Sequence, residues 1–373
     1  MRIAINARLL LANRMEGIAT YTLETCQRLI AEHPEDEFFF FFDRKFDPAL
    51  INRSNVHMII LHPQARHPLL WHYWFEYALS RALIKHQINV LYSPEPYLSL
   101  RSQVPGVMVT HDLSFLLHPE HVKPSHLRYF KKYIPQYHDH AKHIITVSHA
   151  SKADLIRHLA VSEEKITVAH NAVRKGFAPL DKIKKEDVRQ ELTGGRPYII
   201  YLGSIHPRKN VAQLIRAFEI FCSGGHPEHR LVLYGRWAFQ HSGVQSLIHS
   251  SRWRENIVMI NDNDIAVENA LAAAECLCYV SLYEGFGLPL IEAMQCGVAV
   301  ISSLTSSMPE VCGDAALLVH PENVMNIAEA MTTIIENKTI RERLISRGYE
   351  NIRRFSWDKT SHIIYKKLKH YAR

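Results

Sequence analysis

The chain has no apolar run near the ~18 residues that a membrane-spanning helix needs; the Phe38–Phe42 run stops at five. It has only six cysteines, Cys26, Cys222, Cys276, Cys278, Cys296 and Cys312, and none stand in Cys-x-x-Cys spacing. Reduced, partly buried thiols are therefore expected in place of disulfides or a cysteine zinc site. Met1-Arg2 leads straight into a strand-like segment with no charged-then-apolar signal region, so residence in the cytoplasm is the expectation. There is no G-x-x-x-x-G-K-[ST] phosphate loop and no G-x-G-x-x-G after the first strand. Kinase-like ATPase and nicotinamide-dependent readings lose their main support.

What is present points to an ordinary globular protein. The composition, 47% hydrophobic and 22% charged, excludes disordered and fibrous classes. At about 150 residues per domain, 373 residues suggest two domains. The net charge of +7 and pI near 9.0 favour anionic partners without choosing among nucleotides, phospholipid headgroups and nucleic acid. Partial protonation of 24 histidines adds positive charge as pH falls through about 6.5.

Both halves alternate β-rich runs with amphipathic helical stretches, the pattern of parallel sheets covered on both faces. In the first half, strands are expected at Arg2–Ala7, Phe38–Phe42, Val56–Leu61, Asn89–Tyr92, Gly106–Thr110 and His143–Val147. Helices fall near 18–33, 71–86, 124–140 and 149–159. The second half restarts at Tyr198–Gly203 and continues with strands at Arg230–Tyr234, Ile257–Ile260, Leu277–Val280, Val298–Ser302 and Ala315–Val319. The charged stretch Asp181–Gly195 marks the edge of the second domain, with the crossover near Asn171–Pro179. This gives a first domain over 1–175, joined by the C-terminal helix 357–373, and a second over 176–356. The fold class is α/β, with two Rossmann-like doubly wound domains facing a central cleft, and ligands beyond the carboxyl ends of the strands.

The strongest chemical signal is Ser281-Leu-Tyr-Glu284-Gly-Phe286-Gly287-Leu288-Pro289-Leu-Ile-Glu292. It follows a strand and opens a helix at Leu288-Pro289, where proline costs no hydrogen bond. Gly285 and Gly287 let the backbone approach a ligand closely. The helix N-terminus offers unpaired N–H groups suited to a diphosphate. Glu284 in the loop and Glu292 one turn into the helix would reach different hydroxyls of one extended ligand. A capping Glu and a surface Glu would explain the same stretch only if both carboxylates, both glycines and the proline coincided by chance. In Tyr201-Leu-Gly203-Ser-Ile-His-Pro-Arg208-Lys209-Asn210 a strand ends in glycine and a loop delivers two cations to a helix start. Cations there oppose the helix dipole, so an anion is the natural compensation. A third stretch, Val109-Thr110-His111-Asp112, places His111 and Asp112 at a strand's carboxyl end, with Asp112 expected to orient the loop.

These motifs resemble glycosyltransferase family 4, retaining sugar-nucleotide-dependent enzymes of GT-B architecture. The resemblance implies that Glu284 contacts hydroxyls of the donor sugar and Glu292 the ribose. It also implies that the backbone at Phe286, Gly287 and Leu288 meets the diphosphate, together with Arg208 and Lys209. His111 takes the place of the family's active-site histidine near the transferred sugar. Met15-Glu16-Gly17 resembles the family's glycine loop, which closes over phosphates and acceptor. Some members carry an arginine after the strand-end glycine, where this chain has Ser204. The implied reaction moves a hexose to a saccharide or lipid-linked acceptor in cell-surface polysaccharide synthesis. The acceptor hydroxyl attacks on the face the nucleotide leaves, and a leaving phosphate oxygen takes the proton. The sequence around His111 and Gly203–Asn210 is most similar to bacterial mannosyl- and rhamnosyltransferases, which makes GDP-mannose the first donor to expect.

Other signals carry less. Asp262-Asn-Asp264 resembles a metal-binding Asp-x-Asp, but it precedes a helix expected near Ile265, where Asp264 serves as N-cap. No metal or other cofactor is expected, because Arg208, Lys209 and helix dipoles supply positive charge. Ser148 is read as a helix cap. Trp71, Tyr73, Trp74, Phe75 and Tyr77 with Arg81, Lys85 and His86 form an aromatic, basic stretch larger than one buried stripe needs. With Lys123, Arg128, Lys131 and Lys132 it suggests peripheral docking on the inner membrane face. The rival functions are a sugar-nucleotide epimerase and a non-catalytic nucleotide-sugar or nucleic-acid binding module. The paired glutamates argue against nucleic acid, because carboxylates repel phosphates.

Overall fold

The computed structural model describes residues 1–11, 17–238, 242–260 and 265–373. The chain divides into two compact units, Met1–Asn171 with Ser356–Arg373, and Ala172–Phe355. The first crossover falls slightly before the expected residue 175, because Phe177 is buried and Arg174 pairs inside the second unit.

The first unit holds β1 (Arg2–Asn6), β2 (Glu37–Phe42), β3 (Val56–Ile60), β4 (Val90–Ser93), β5 (Gly106–Thr110), β6 (His143–Thr146) and β7 (Ile166–Val168). They form one parallel sheet in the order β3-β2-β1-β4-β5-β6-β7. A parallel strand is covered on both faces and so needs no polar alternation. β2 shows this directly, with Phe38 to Phe42 all buried. β7, with three residues, is too short for a hydrophobic period and was not expected. The C-terminal helix Trp357–Tyr371 starts at its Ser356 cap and packs on the helix Gly17–Glu32. Arg28 Nε donates to Asp358 at 2.5 Å, Ser361 Oγ to the Thr25 carbonyl at 3.3 Å, and Tyr365 OH to Asp36 at 2.8 Å.

The aromatic stretch corrects one expectation. Trp71, Trp74 and Phe75 are core residues, packed with Tyr97, Tyr129 and Tyr137. The helix Pro68–Tyr73 runs through a π-helical turn, Trp74–Leu79, into Ser80–Lys85. The π turn inserts an extra residue and rotates the apolar stripe. Trp71, Trp74 and Phe75 thereby face the core, and Leu69, Leu70, Tyr73 and Ile84 remain exposed.

The second unit holds β8 (Tyr198–Leu202), β9 (Arg230–Tyr234), β10 (Ile257–Ile260), β11 (Cys276–Tyr279), β12 (Ala299–Ser303) and β13 (Ala316–Val319). Their order is β10-β9-β8-β11-β12-β13, all parallel. The strand order reverses between β8 and β11, as it does between β1 and β4. Such a reversal splays the loops at the strands' carboxyl ends and leaves a crevice for ligand. The helix after β10 is Val267–Ala272, with Ala266 at its cap position. It begins beyond the expected Ile265, and Asp262 to Asp264 lie outside the described residues. All six cysteines are buried, unpaired thiols.

Candidate active site

The loops that leave β8 and β11 meet at the reversal point of the second sheet. β8 is followed by Gly203, whose φ of +137° is open to glycine but strained for other residues. The chain then makes a tight turn, Pro207–Lys209, and Asn210 enters the next helix with φ of +60°. Asn210 is buried, and its Nδ2 donates to the carbonyls of Val280 at 3.0 Å and Pro321 at 2.6 Å. Leu282 N donates to the Arg208 carbonyl at 2.9 Å. These bonds tie the two loops together before any ligand arrives.

Arg208 and Lys209 then converge on one carboxylate. Arg208 Nη1 donates to Glu284 Oε2 and to the Tyr283 carbonyl, both at 2.9 Å. Lys209 Nζ donates to Glu284 Oε1 at 2.5 Å and to Tyr279 Oη at 2.6 Å. Tyr279 Oη donates in turn to Glu284 Oε1 at 2.9 Å. Glu284 is only 6% exposed. Burial alone would push its carboxyl up, but Arg208 and Lys209 outweigh that and hold it at about 2. Burial, with the Glu284 charge adding to it, keeps the Tyr279 phenol protonated by pushing it well above its usual value. Two cations facing one carboxylate leave this trio one unit positive.

A third loop, after β12, clamps the Glu284 backbone. Ser306 Oγ and Ser307 Oγ donate to the Glu284 carbonyl at 2.6 and 2.9 Å, and Ser307 Oγ lies 3.1 Å from the Phe286 carbonyl. Phe286 is buried against Phe355. Gly287 takes φ of +95° at the cap of the helix Leu288–Gln295, where a Cβ would lie 2.8 Å from Leu290. That helix starts beyond β11, so its first-turn N–H groups lie at the carboxyl edge of the sheet.

The structure places Glu292 differently from the sequence reading. It is fully buried, and its two oxygens accept from Arg174 Nε at 2.5 Å and Nη2 at 3.0 Å. Arg174 also lies over the Phe177 ring, 4.9 Å from its centroid. Glu292 therefore anchors the chain entering the second unit to the Leu288–Gln295 helix, instead of standing open toward a ribose. Glu284 likewise meets two cations instead of open space. Sequence reasoning missed Arg174, Tyr279, Asn210, Ser306 and Ser307. The hydroxyl-rich run Ser302-Ser303-Leu-Thr-Ser-Ser307 was the available signal for the last two.

In the first unit His111 follows β5. Its Nε2 donates to the Pro94 carbonyl at 2.9 Å, and the edge of Tyr21 packs on the ring at 4.9 Å. A carbonyl only accepts, so Nε2 carries the proton and Nδ1 the lone pair. Burial lowers the imidazole below its usual value, against the opposing Pro94 bond, so it is neutral near pH 7. Asp112 accepts from Ser114 N at 2.9 Å and orients the loop. Ser148 caps the helix His149–Leu159 by accepting from Ser151 N at 3.0 Å. Gly17 is the exposed first residue of its helix, with open space where a Cβ would sit, while Met15 and Glu16 lie outside the described residues. Beneath this end of the sheet, Arg8 forms a two-bond pair with Glu95 at 2.7 and 3.1 Å.

A Rossmann-ordered sheet whose reversal point carries a net-positive cation pair beside a helix N-terminus is the build of an enzyme that handles a nucleoside diphosphate. Residues 15–175 match Glycosyltransferase Family 4 and residues 182–351 match Glycosyl transferases group 1; the chain belongs to glycosyltransferase family 4. It is 29% identical over 358 residues to the O-antigen chain mannosyltransferase B of Escherichia coli, covering 92% of this chain and 93% of that protein. It is 24% identical over 303 residues to the O-antigen chain mannosyltransferase RfbU of Salmonella typhimurium, covering 80% of this chain and 78% of that one. Among solved structures it is similar to WaaG, a glycosyltransferase involved in lipopolysaccharide biosynthesis, with a TM-score of 0.79 at 13% identity, covering 99% of each chain. That likeness shows the fold, GT-B. The family matches favour sugar transfer over epimerisation or mere binding.

Proposed function

We propose that the protein transfers mannose from GDP-mannose to a saccharide or lipid-linked acceptor, with retention at the anomeric carbon, in cell-surface polysaccharide synthesis. The observation that carries this reading is the convergence of Arg208, Lys209, Glu284 and Tyr279 at the β8/β11 reversal point. The relatives named as O-antigen mannosyltransferases support the sugar and the pathway class.

Glu284 compensates both cations. An incoming diphosphate competes for them, and the one-unit charge surplus favours its entry. As the anomeric C–O bond breaks, charge builds on the departing phosphate, and Arg208, Lys209 and the first-turn N–H groups near Gly287 and Leu288 stabilise it. The acceptor oxygen bonds to the anomeric carbon on the same face, and its proton passes to the leaving phosphate oxygen. Glu284, released in part from the cations, accepts from sugar hydroxyls. Glu292 acts as a positioning residue through Arg174. His111 is assigned to the transfer step as a neutral imidazole. With the charge supplied by Arg208, Lys209 and the helix N-terminus, no metal is assigned to the chemistry.

Among the described residues, no helix is long and apolar enough to cross a membrane. Peripheral docking of the first unit rests instead on an exposed stripe, with Leu69 at 76% and Ile84 at 73% exposure beside Tyr73, flanked by exposed Arg81, Lys85, Lys131 and Lys132. Apolar insertion and headgroup attraction act together on such a face. Vesicles containing anionic lipid are expected to pull down the wild type and to release Leu69→Glu/Ile84→Glu.

The donor test is thermal shift against GDP-, UDP-, dTDP- and ADP-sugars, because a ligand of the native state raises the melting temperature. GDP-mannose is expected to give the largest rise in wild type and little rise in Lys209→Ala. A larger response to another base, or an undiminished response in Lys209→Ala, overturns the assignment.

A further inference from the structure

The second sheet has an opposite edge, at the amino ends of its strands, far from the loops just described. There Gly224-Gly225-His226-Pro227-Glu228-His229 leads into β9. The His226 ring stacks on Phe221 at 4.3 Å, and His229 meets the same ring edge-on at 5.2 Å. The two imidazoles stand 5.5 Å apart and nearly perpendicular, at 82°.

Their nitrogens are where the pattern becomes chemical. His229 Nδ1 lies 2.9 Å from Glu228 Oε1, and His226 Nε2 lies 3.2 Å from Glu336 Oε1, at the end of the helix Val324–Glu336. Both nitrogens are enclosed, yet neither makes a hydrogen bond. A buried nitrogen aimed at an oxygen without sharing a hydrogen is costly unless a third body lies between them. One ligand atom each from His226, Glu228 and His229 lies within 4.8 Å of the others. Tetrahedral zinc with bonds of about 2.0–2.1 Å sets neighbouring ligand atoms about 3.3 Å apart, close to both nitrogen–oxygen separations.

We propose that His226, Glu228 and His229 bind a divalent ion of the zinc class, with the Glu336 carboxylate facing His226 from outside the trio. Two imidazoles with a carboxylate suit such an ion, and the carboxylate offsets part of its charge. The site is structural. It fixes the turn before β9 beside the helix Val324–Glu336 at the edge opposite the transfer chemistry. The same tetrapeptide, His-Pro-Glu-His, recurs at His118–His121, where Glu120 Oε1 lies 3.4 Å from both His118 Nδ1 and His121 Nε2. All three of those residues have further partners, so the inference is confined to the second copy.

The test is zinc titration of the chelator-stripped full chain by calorimetry, with metal content read after dialysis. The wild type is expected to hold one zinc ion through this site. His226→Gln/His229→Gln and Glu228→Gln are each expected to weaken binding by at least about tenfold, while His118→Gln/His121→Gln leaves it unchanged. Glu228 is more than half exposed, so its variant remains decisive even where the double variant fails to fold. Zinc binding that is absent in the wild type, undiminished in Glu228→Gln, or lost in the His118/His121 variant overturns the proposal.

Discussion

The two sheets reverse their strand order at corresponding places, and each carries a buried ion pair there, but the two pairs are built for opposite ends. In the first unit Arg8 is 5% and Glu95 2% exposed. The guanidinium lies between 5.3 and 5.8 Å from the rings of Trp71, Phe75 and Tyr97. It also lies within hydrogen-bonding distance of the Ala65 carbonyl, and Asn6 Nδ2 donates to Glu95 Oε1 at 2.9 Å. Charge cancels one for one inside an aromatic box. In the second unit one carboxylate faces two cations, and the Arg208 and Lys209 side chains keep 22% and 12% of their surface. A sealed, balanced pair fixes loops in place; a partly open, unbalanced one is ready to exchange partners with an anion. Charge surplus at the reversal point, more than burial of ionic groups as such, distinguishes the proposed ligand site from the framework.

The largest expected effect tests the sealed pair. Glu95→Ala leaves Arg8 charged among aromatic rings and is expected to cost about 3–5 kcal/mol, read by urea unfolding of the full chain. A loss under about 1 kcal/mol would show the pair to be no more structural than a surface bridge. Next comes Lys209→Ala, which keeps the Arg208–Glu284 bond. Sugar transfer is expected to fall about 10²–10³-fold, with a smaller loss of stability than Glu95→Ala shows, because Arg208 still compensates the Glu284 charge. A parallel collapse of stability would erase the contrast between the two pairs.

The third prediction concerns pH. Glu284 sits near 2 in the folded chain against about 4.3 for a free carboxyl. Its stabilisation is therefore complete above about pH 4.3 and is lost as pH falls toward 2, amounting to roughly 3 kcal/mol. Glu284→Gln is expected to flatten that limb of the stability–pH curve, whereas a limb of unchanged size would place the acid sensitivity elsewhere. The smallest effect belongs to His111. Its lowered value keeps it neutral above about pH 6.5, so the His111-dependent fall in kcat/KM is expected only on the acidic side. His111→Asn should lose about tenfold, the worth of one hydrogen-bonding contact, and should remove that acidic limb. A His111-dependent limb above pH 7 would contradict the neutral imidazole.

Much of the framework could be read from the chain alone because its signals are local. The helices Pro124–His140 and His149–Leu159 begin at a proline and at a Ser148 cap, and both were legible. So was the turn through Gly287 into the helix Leu288–Gln295, since only local backbone geometry decides it. Pairings across long separations were not legible. Nothing near Glu292 announces Arg174, 118 residues earlier, and nothing near Lys209 announces the Tyr279 hydroxyl, 70 residues later. The aromatic run from Trp71 to Tyr77 misled because a π turn rotates its faces, and rotation by one inserted residue leaves no mark in composition.

Sequence by itself singled out the residues that meet at the reversal point: the two cations, Glu284 and the glycines that let their loops turn. Periodicity and turn chemistry act over a few residues, so each motif specifies its own strand–loop–helix unit. Tertiary structure decided what those side chains face. Only the sheet order β10-β9-β8-β11-β12-β13 brings the loop of Arg208 beside that of Glu284, and only packing supplies Glu292 with Arg174. Charges interact through space, and the partner of a buried charge is set by which strands lie side by side.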